Sequence, residues 1–456
     1  MKLGVVVLAA GQGTRMRSRI PKVLHPLAGK PLLAHVLGTA RTIGAARVCV
    51  VYGHGGELVP QTLADHDCRW AEQAQQQGTG HAVIQGMPDM QDMDRILVLY
   101  GDVPLTQPDT LQRLVDVAVD ADLGVLTAML EDPSGYGRMV RDADGRLLRI
   151  VEQKDATEAE LEIDEINTGI LIADRSRLDD WLARIGNENA QGEYYLTDVI
   201  ALAAAEGVDI ATCQPGSLEE VAGVNDRIQL AALERHFQRA RARELMRDGV
   251  TLADPERVDV RGRLYAGRDV SIDVNVVIEG EVRLGDGVSI GPNCLLRNCE
   301  IGRDTQILAN CVIEDASVGA DAQIGPFSRL RPEAVLSDRV HVGNFVEIKK
   351  SQVGLGSKVN HLTYVGDARI GRGVNVGAGT ITCNYDGANK HLTVIGDNAF
   401  IGSNASLVAP VEVGADATVG AGSVISRNAP AGNLTVTRAK QVTLDNWQRP
   451  RKKPKA

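Results

Sequence analysis

Residues 394–409 read Val-Ile-Gly-Asp-Asn-Ala-Phe-Ile-Gly-Ser-Asn-Ala-Ser-Leu-Val-Ala, with an aliphatic residue at every sixth position (Ile395, Ile401, Leu407) and glycine after the first two. The same step recurs from about Tyr265 to Ile425. Leu284-Gly285 and Ile290-Gly291 carry it, then Val318-Gly319, Ile324-Gly325 and Leu330. Val353-Gly354, Val359, Val365-Gly366, Ile370-Gly371 and Val376-Gly377 follow, and Val413-Gly414, Val419-Gly420 and Ile425 close the series. A period of six suits neither an α-helix nor one flat strand. It suits a coiled strand in which each six-residue unit forms one flat face and turns a corner. The aliphatic residue points inward and stacks on its equivalent in the next coil, so stability comes from neighbouring coils. The glycine beside it is expected to let the backbone bend. The period slips to five between Val365 and Ile370. His341 to Lys350 and Asn384 to Leu392 read as insertions, which in a solenoid project from one face, often the binding face.

The chain of 456 residues is long enough for two or three domains. Its 48 glycines and 3% aromatic content fit a solenoid that needs corners and small inward residues. A net charge of −10 argues against general nucleic-acid binding. The stretch Arg449 to Lys455 is basic (Arg451, Lys452, Lys453, Lys455) and reads as a solvated terminus. Seven scattered cysteines without a C-x-x-C pair suit a reducing cytosol. No stretch approaches the roughly 18 apolar residues of a membrane span. A cytoplasmic protein without a membrane span is expected.

Residues 1–224 alternate strand and helix. Leu3 to Leu8, Val48 to Tyr52, Arg95 to Tyr100 and Leu123 to Met129 read as strands; Pro31 to Ile43 and Asp109 to Val119 read as helices. That alternation predicts a doubly wound, Rossmann-like α/β sheet with a nucleotide-sized crevice at the strand C-termini. The first crevice loop is Leu8-Ala9-Ala10-Gly11-Gln12-Gly13-Thr14-Arg15-Met16. Gly11 and Gly13 let backbone N–H groups approach phosphate oxygens, although a tight structural turn accounts for them equally. Arg15, with Lys22 of Pro21-Lys22, can neutralise a triphosphate and its developing charge. Gln73 and Gln77-Gly78-Thr79-Gly80-His81 supply donors suited to a base edge. Tyr100-Gly101-Asp102 ends a strand, where a carboxylate can hold Mg²⁺ against phosphates or simply cap a helix.

The order of L-A-A-G-x-G-T-R-M, P-K, G-T-G-H-A and G-D resembles the nucleotidylyltransferases that make nucleotide sugars. Gly135-Tyr-Gly137-Arg138, Val151-Glu152, Glu165-Ile-Asn167-Thr168-Gly169 and Gly223-Val-Asn225 narrow the resemblance to the N-acetylglucosamine-1-phosphate uridyltransferases. The resemblance implies Mg²⁺ on Asp102 and Asn225, the sugar on Gly137, Glu152 and Asn167, and uridine on Gln73, Gly78 and Thr79. It also implies that Leu8, Ala9, Ala10, Gly11, Gly13, Tyr100 and Gly101 line the nucleotide. Asp226 stands where the family is expected to have a neutral residue and adds a second carboxylate.

Residues 225–249 read as a helical linker. Leu230, Leu233, Phe237 and Ala240 form one apolar stripe, with Arg235, Arg239 and Arg241 opposite. Gly249 and Pro255 are stop signals.

Residues 250–456 hold the repeat, and polar residues gather where the period breaks. They are Arg331, Asn344, Glu347, Lys349, Asn360, His361, Tyr364, Asn375, Asn384, Tyr385 and Lys390. Arg331, Lys349 and Lys390 suit a phosphate. A lone solenoid histidine is more often a packing or surface residue; within this polar set His361 reads as a general base, with Glu347 orienting it. The repeat resembles the hexapeptide-repeat, left-handed parallel β-helix family, whose members are typically trimers with active sites between subunits. The polar set resembles the glucosamine-1-phosphate N-acetyltransferase half of the same bifunctional family. That resemblance places the sugar phosphate on Arg331, Lys349, Tyr364, Asn375 and Lys390. It places acetyl-CoA on Ala378, Asn384, Tyr385, Ser403, Ala421 and Arg438. Cys383, beside Asn384, is expected to expose acetyl transfer to alkylation. The substrates implied are glucosamine-1-phosphate, N-acetylglucosamine-1-phosphate, UTP and acetyl-CoA, and the assembly implied is a homotrimer. Two other readings stay open on the sequence: a single-activity nucleotidylyltransferase whose β-helix only assembles it, and a non-enzymatic scaffold.

Overall fold

The structure is a computed structural model that describes residues 1–53 and 56–452. It divides into two compact units, Met1–Phe237 and Gln238–Ala456.

The first unit is built on a twisted sheet. Its strands lie in the order Ile210–Cys213, Leu123–Met129, Glu165–Asp174, Arg95–Tyr100, Leu3–Ala9, Arg47–Tyr52 and Arg69–Glu72. Leu3–Ala9 is buried along its whole length, which is why its sequence is a continuous aliphatic run rather than an alternating one. It pairs in parallel with Arg47–Tyr52 on one side and Arg95–Tyr100 on the other. The chain winds outward from this strand through Arg47–Tyr52 and Arg69–Glu72, then returns to its opposite side with Arg95–Tyr100. The crevice at that reversal, outside the strand C-termini, is where such sheets hold ligands. The sheet is mixed: Glu165–Asp174 runs antiparallel to both neighbours. The helices expected from periodicity are Leu32–Thr42 and Pro108–Val117.

The second unit is a parallel β-helix of short stacked strands. Three columns climb the solenoid, and the strands of the first coils, such as Val276–Leu284, bend across two of them. Register is kept by the inward aliphatic residues. Ile272 pairs with Ile290, Ile290 with Ile307, Ile307 with Ile324, Ile324 with Val342, and Val342 with Val359. Ile348 stacks in the same way between Leu330 and Val365. His341 to Lys350 is therefore regular coil and not an insertion. Its polar residues project outward between Val342 and Ile348, both fully buried. Asn384 to Leu392 is a true insertion. Val376 pairs with Ile401, twenty-five positions on, and the extra residues form a small hairpin closed by a Tyr385–Lys390 bridge.

The corners are made differently from the expectation. The positive-φ residue lies three positions before most of the inward aliphatic residues. Asp269, Asn293, Asp304, Asn310, Asp321, Asn398, Asn404 and Asp416 are examples, the short polar residues that tolerate this region best. The glycine after the aliphatic residue has another purpose. A Cβ on Gly302 would lie 2.5 Å from the carbonyl carbon of Gly319, and one on Gly396 would lie 2.5 Å from the amide of Ala415. These glycines let one coil's backbone lie against the next.

The helix Arg227–Arg247 is continuous. In the first unit, Leu230, Leu233 and Phe237 pack with Met16, Leu27, Ala28 and Leu32. Ala240 is exposed, contrary to the expected stripe. In the second unit the buried face is Gln238, Ala242 and Leu245. The Gln238 carboxamide closes the open edge of the first coil: its Nε2 donates to the Val260 carbonyl at 3.1 Å and its Oε1 accepts from the Val260 amide at 2.8 Å.

Candidate active sites

In the first unit a cleft of about 520 Å³ opens at the sheet's reversal. Leu8, Ala9, Ala10, Gly11, Lys22, Gln73, Gly78, Thr79, Tyr100 and Asp102 line it, as the sequence predicts. Gln12, Gln76 and Glu193 line it as well. The Gln73 side chain donates to the Gly78 carbonyl at 3.1 Å and meets His81 Nδ1 at 3.0 Å. Thr79 opens the helix Thr79–Gly86 and accepts from the Leu196 amide at 3.0 Å. Gly13 sits at φ 58, and a Cβ there would meet the Lys22 Cβ at 2.7 Å. The glycine loop thus makes room for the lysine. The Lys22 ammonium pairs with the Asp102 carboxylate and donates to Asn225 Oδ1 at 3.2 Å. The Asp102 carbonyl accepts from the Val224 amide at 2.9 Å, which fixes the strand end beside Asn225. Three residues far apart in sequence therefore meet at one point. Arg15 is outside this group: it lies exposed on the single turn Thr14–Met16 and is not part of the cleft lining. Asp226 is not directed to ligand chemistry. Its carboxylate accepts from the Ile228 and Gln229 amides, both at 2.9 Å, and caps the long helix.

Gly137, Glu152 and Asn167 also converge. The Asn167 amide donates to the Gly137 carbonyl at 2.9 Å, and a Cβ on Gly137 would stand 3.5 Å from both Glu152 oxygens. Burial pushes the Glu152 carboxyl above its usual range, and Asp155 and Asp198 add to it. The Thr197 hydroxyl opposes that shift by donating to Glu152 at 3.1 Å. Burial, with the Glu152 and Asp102 charges nearby, holds the Tyr100 phenol well above its ordinary pKa. Gln76, Glu193 and Thr197 carry only a weak signal in the sequence, the run of glutamines at 75–77 and the segment Glu193-Tyr-Tyr-Leu-Thr197.

In the second unit His361 ends the strand Lys358–His361, beside Asn344 of the preceding coil. Its Nδ1 meets Asn344 Oδ1 at 2.8 Å. Glu347 does not orient it: that carboxylate accepts from Arg331 at 2.7 Å. From His361 a column continues through equivalent corners. The Gly379 amide donates to the His361 carbonyl at 3.0 Å, Asn404 to Ala378 at 2.7 Å, and Gly422 to Ser403 at 2.8 Å. His361, Ala378, Ser403 and Ala421 thus stack one above another, and Arg438 lies against Gly422. The inserted hairpin is well braced. Asn384 donates to Asp367 at 2.5 Å, and Asp386 pairs with His391 at 2.7 Å. The amides of Ala388 and Asn389 and the His391 ring hold the Asp386 carboxyl well below the usual range. The hairpin brings Lys390 against Lys349, and that neighbouring ammonium lowers the Lys349 pKa. Arg331, Lys349 and Lys390 form a cationic patch. Arg449 to Lys452 are exposed, while Lys453 and Lys455 lie outside the described residues.

Fold and sites together define a class: a nucleotidyltransferase domain and a hexapeptide-repeat transferase domain in one chain. Residues 5–163 match the MobA-like NTP transferase domain, and residues 392–427 match the bacterial transferase hexapeptide (six repeats). Residues 260–364 match the GMPPB C-terminal domain. Three curated relatives are similar over nearly their whole length, and each is named bifunctional protein GlmU. That of an Azoarcus species is 57% identical over 98% of this chain and 99% of its own. That of Cupriavidus pinatubonensis is 58% identical over 99% and 100%. That of Acinetobacter baumannii is 55% identical over 99% of both. The chain belongs to the bifunctional GlmU family.

Proposed function

We infer that this protein is a bifunctional enzyme of UDP-N-acetylglucosamine synthesis. It acetylates glucosamine-1-phosphate with acetyl-CoA, then transfers UMP from UTP to N-acetylglucosamine-1-phosphate, releasing pyrophosphate. Full-length similarity to the bifunctional relatives supports both activities. The observation that carries the acetyl-transfer half is the exposed His361 imidazole held by Asn344 on the β-helix.

In the acetyl-transfer reading, Arg331, Lys349 and Lys390 hold the sugar phosphate, with Tyr364 and Asn375 beside it. Glu347 keeps the Arg331 guanidinium in place. His361 accepts a proton from the sugar ammonium, and the freed amine attacks the thioester carbonyl. A C–N bond forms, the C–S bond breaks, and CoA leaves as its thiol. Asn384, Tyr385, Ala378, Ser403, Ala421 and Arg438 line the carrier's path.

In the uridylyl-transfer reading, the cleft volume suits a nucleotide. Gln73, Gly78 and Thr79 face the base, and the Gly11–Gly13 loop and Lys22 face the phosphates. Glu152, Asn167 and Gly137 orient the sugar so that its phosphate oxygen attacks the α-phosphorus and pyrophosphate leaves. Positioning and charge neutralisation carry this step; Arg15 joins only by moving in over bound phosphates. The site fits Mg²⁺: a carboxylate and an amide oxygen converge on one cation already, the Lys22 ammonium. Hard oxygens of this kind, with substrate phosphates completing the shell, are the usual Mg²⁺ setting. Bound there, Mg²⁺ neutralises charge developing on the phosphates.

Exposed Phe327 and Phe345, whose rings stack at 5.4 Å, and exposed Leu362 follow His361's column. They support the homotrimer as the working assembly. No helix among the described residues is long and apolar enough to cross a membrane, in keeping with a cytoplasmic enzyme. The test is His361→Ala. Acetyl transfer is expected to fall by about a hundredfold or more, with uridylyl transfer kept; persistence of acetyl transfer refutes the assignment.

A further inference from the structure

Resting on the reading of His361 as the base, we propose that Asn344 is its positioning residue, fixing the tautomer that leaves Nε2 free to take the proton. Asn344 and His361 are paired in register on adjacent parallel strands, so their side chains leave the same face about 4.8 Å apart. The contact of 2.8 Å runs from the ring Nδ1 to the Asn344 carboxamide oxygen. An amide oxygen only accepts. With that oxygen facing the ring, the proton is held on Nδ1 and Nε2 is left to accept.

The backbone holds both partners. The Leu362 amide donates to the Asn344 carbonyl at 3.2 Å. The His361 carbonyl accepts from the Gly379 amide at 3.0 Å and from the Thr363 hydroxyl at 2.7 Å. Glu347, the carboxylate nearest in sequence to Asn344, is engaged by Arg331. Besides His361 itself, the titratable groups on the two strands are His341 on Asn344's strand, which interacts with His361, and Lys358 on His361's strand. The strand on the other side, Asn375–Val376, and its turn through Gly379 carry none.

A neutral partner has a chemical advantage. A carboxylate in that place would stabilise the imidazolium and keep the base protonated to higher pH. The amide orients the ring without that penalty.

The experiment uses the full-length protein with Asn344→Ala and Asn344→Asp. Thiol release is measured against pH, and uridylyl transfer serves as the folding control. Asn344→Ala is expected to lower acetyl-transfer kcat roughly tenfold to hundredfold, with the KM for glucosamine-1-phosphate nearly unchanged. Asn344→Asp is expected to recover much of kcat at high pH, with the acidic limb of its profile moved to higher pH. A wild-type kcat in Asn344→Ala, or an Asn344→Asp profile superimposed on wild type, overturns the proposal. His361→Ala separates the two levels. If it retains acetyl transfer, the base assignment fails. If it is inactive while both position-344 variants behave as wild type, only the positioning role fails.

Discussion

Gly402→Ala tests how the β-helix is held together. Gly402 has no positive φ, so its need for glycine is steric. A Cβ there would lie 2.4 Å from the Ala421 amide nitrogen and 2.7 Å from the Val419 carbonyl oxygen. Both are backbone atoms of the next coil and cannot swing aside. Overpacking of this kind costs about 1–3 kcal/mol, and a backbone obstacle puts it near the upper end. For a unit of this size each kcal/mol moves Tm by roughly 2–4 °C, so the acetyl-transfer unit should melt roughly 6–12 °C earlier. Gly356 is the control. It sits at φ 67 with nothing within 4 Å of an added Cβ. Alanine there meets only the left-handed backbone cost of about 1–2 kcal/mol. Calorimetry of the two variants, with both activities assayed, gives the comparison. Gly402→Ala should also raise the KM for acetyl-CoA, because Ser403 and Ala421 flank the shifted backbone, and should leave uridylyl transfer intact. Equal Tm values for the two variants, or a larger loss in Gly356→Ala, would refute the close-approach argument.

Thr197→Val removes the hydroxyl that opposes the burial-raised pKa of Glu152. The carboxyl then stays protonated to higher pH, so the acidic limb of kcat/KM for N-acetylglucosamine-1-phosphate should move upward; an unmoved limb sinks the idea. Asp102→Asn should lower uridylyl-transfer kcat by about a hundredfold or more and raise the Mg²⁺ concentration needed for half activity, while thiol release stays normal. Alkylation should block acetyl transfer in wild type and spare Cys383→Ala; equal inactivation of the two proteins removes Cys383 from the account.

The repeat was readable because one inward residue per face leaves a strict period, and the central strands of the first unit because Leu3–Ala9, Arg47–Tyr52, Arg95–Tyr100 and Leu123–Met129 are buried along most of their length. Three features escaped for physical reasons. A corner residue needs only a positive φ, which Asn, Asp, Phe327 and Glu333 all supply here, so the bends leave no single-letter signature. Polar outward positions at 341–350 looked like an interruption because the eye follows side-chain character, whereas Val342 and Ile348 keep the register underneath. Gln238 is buried in a helix's contact face because it hydrogen-bonds a strand edge, and hydropathy cannot mark that. In the sites, Lys22, Asp102 and Asn225 were legible as a set through motif order. The partner of His361 was not: Glu347 stands nearer to it in sequence than Asn344 does, and only the coil register decides between them.

The central claim is that two sites on this chain act in sequence. Purified protein is given glucosamine-1-phosphate, acetyl-CoA, UTP and Mg²⁺, and free thiol and pyrophosphate are followed together. The account predicts both products, with pyrophosphate suppressed when acetyl-CoA is omitted and restored by N-acetylglucosamine-1-phosphate. Pyrophosphate without thiol, from any sugar phosphate, would contradict it and reduce the β-helix to a scaffold.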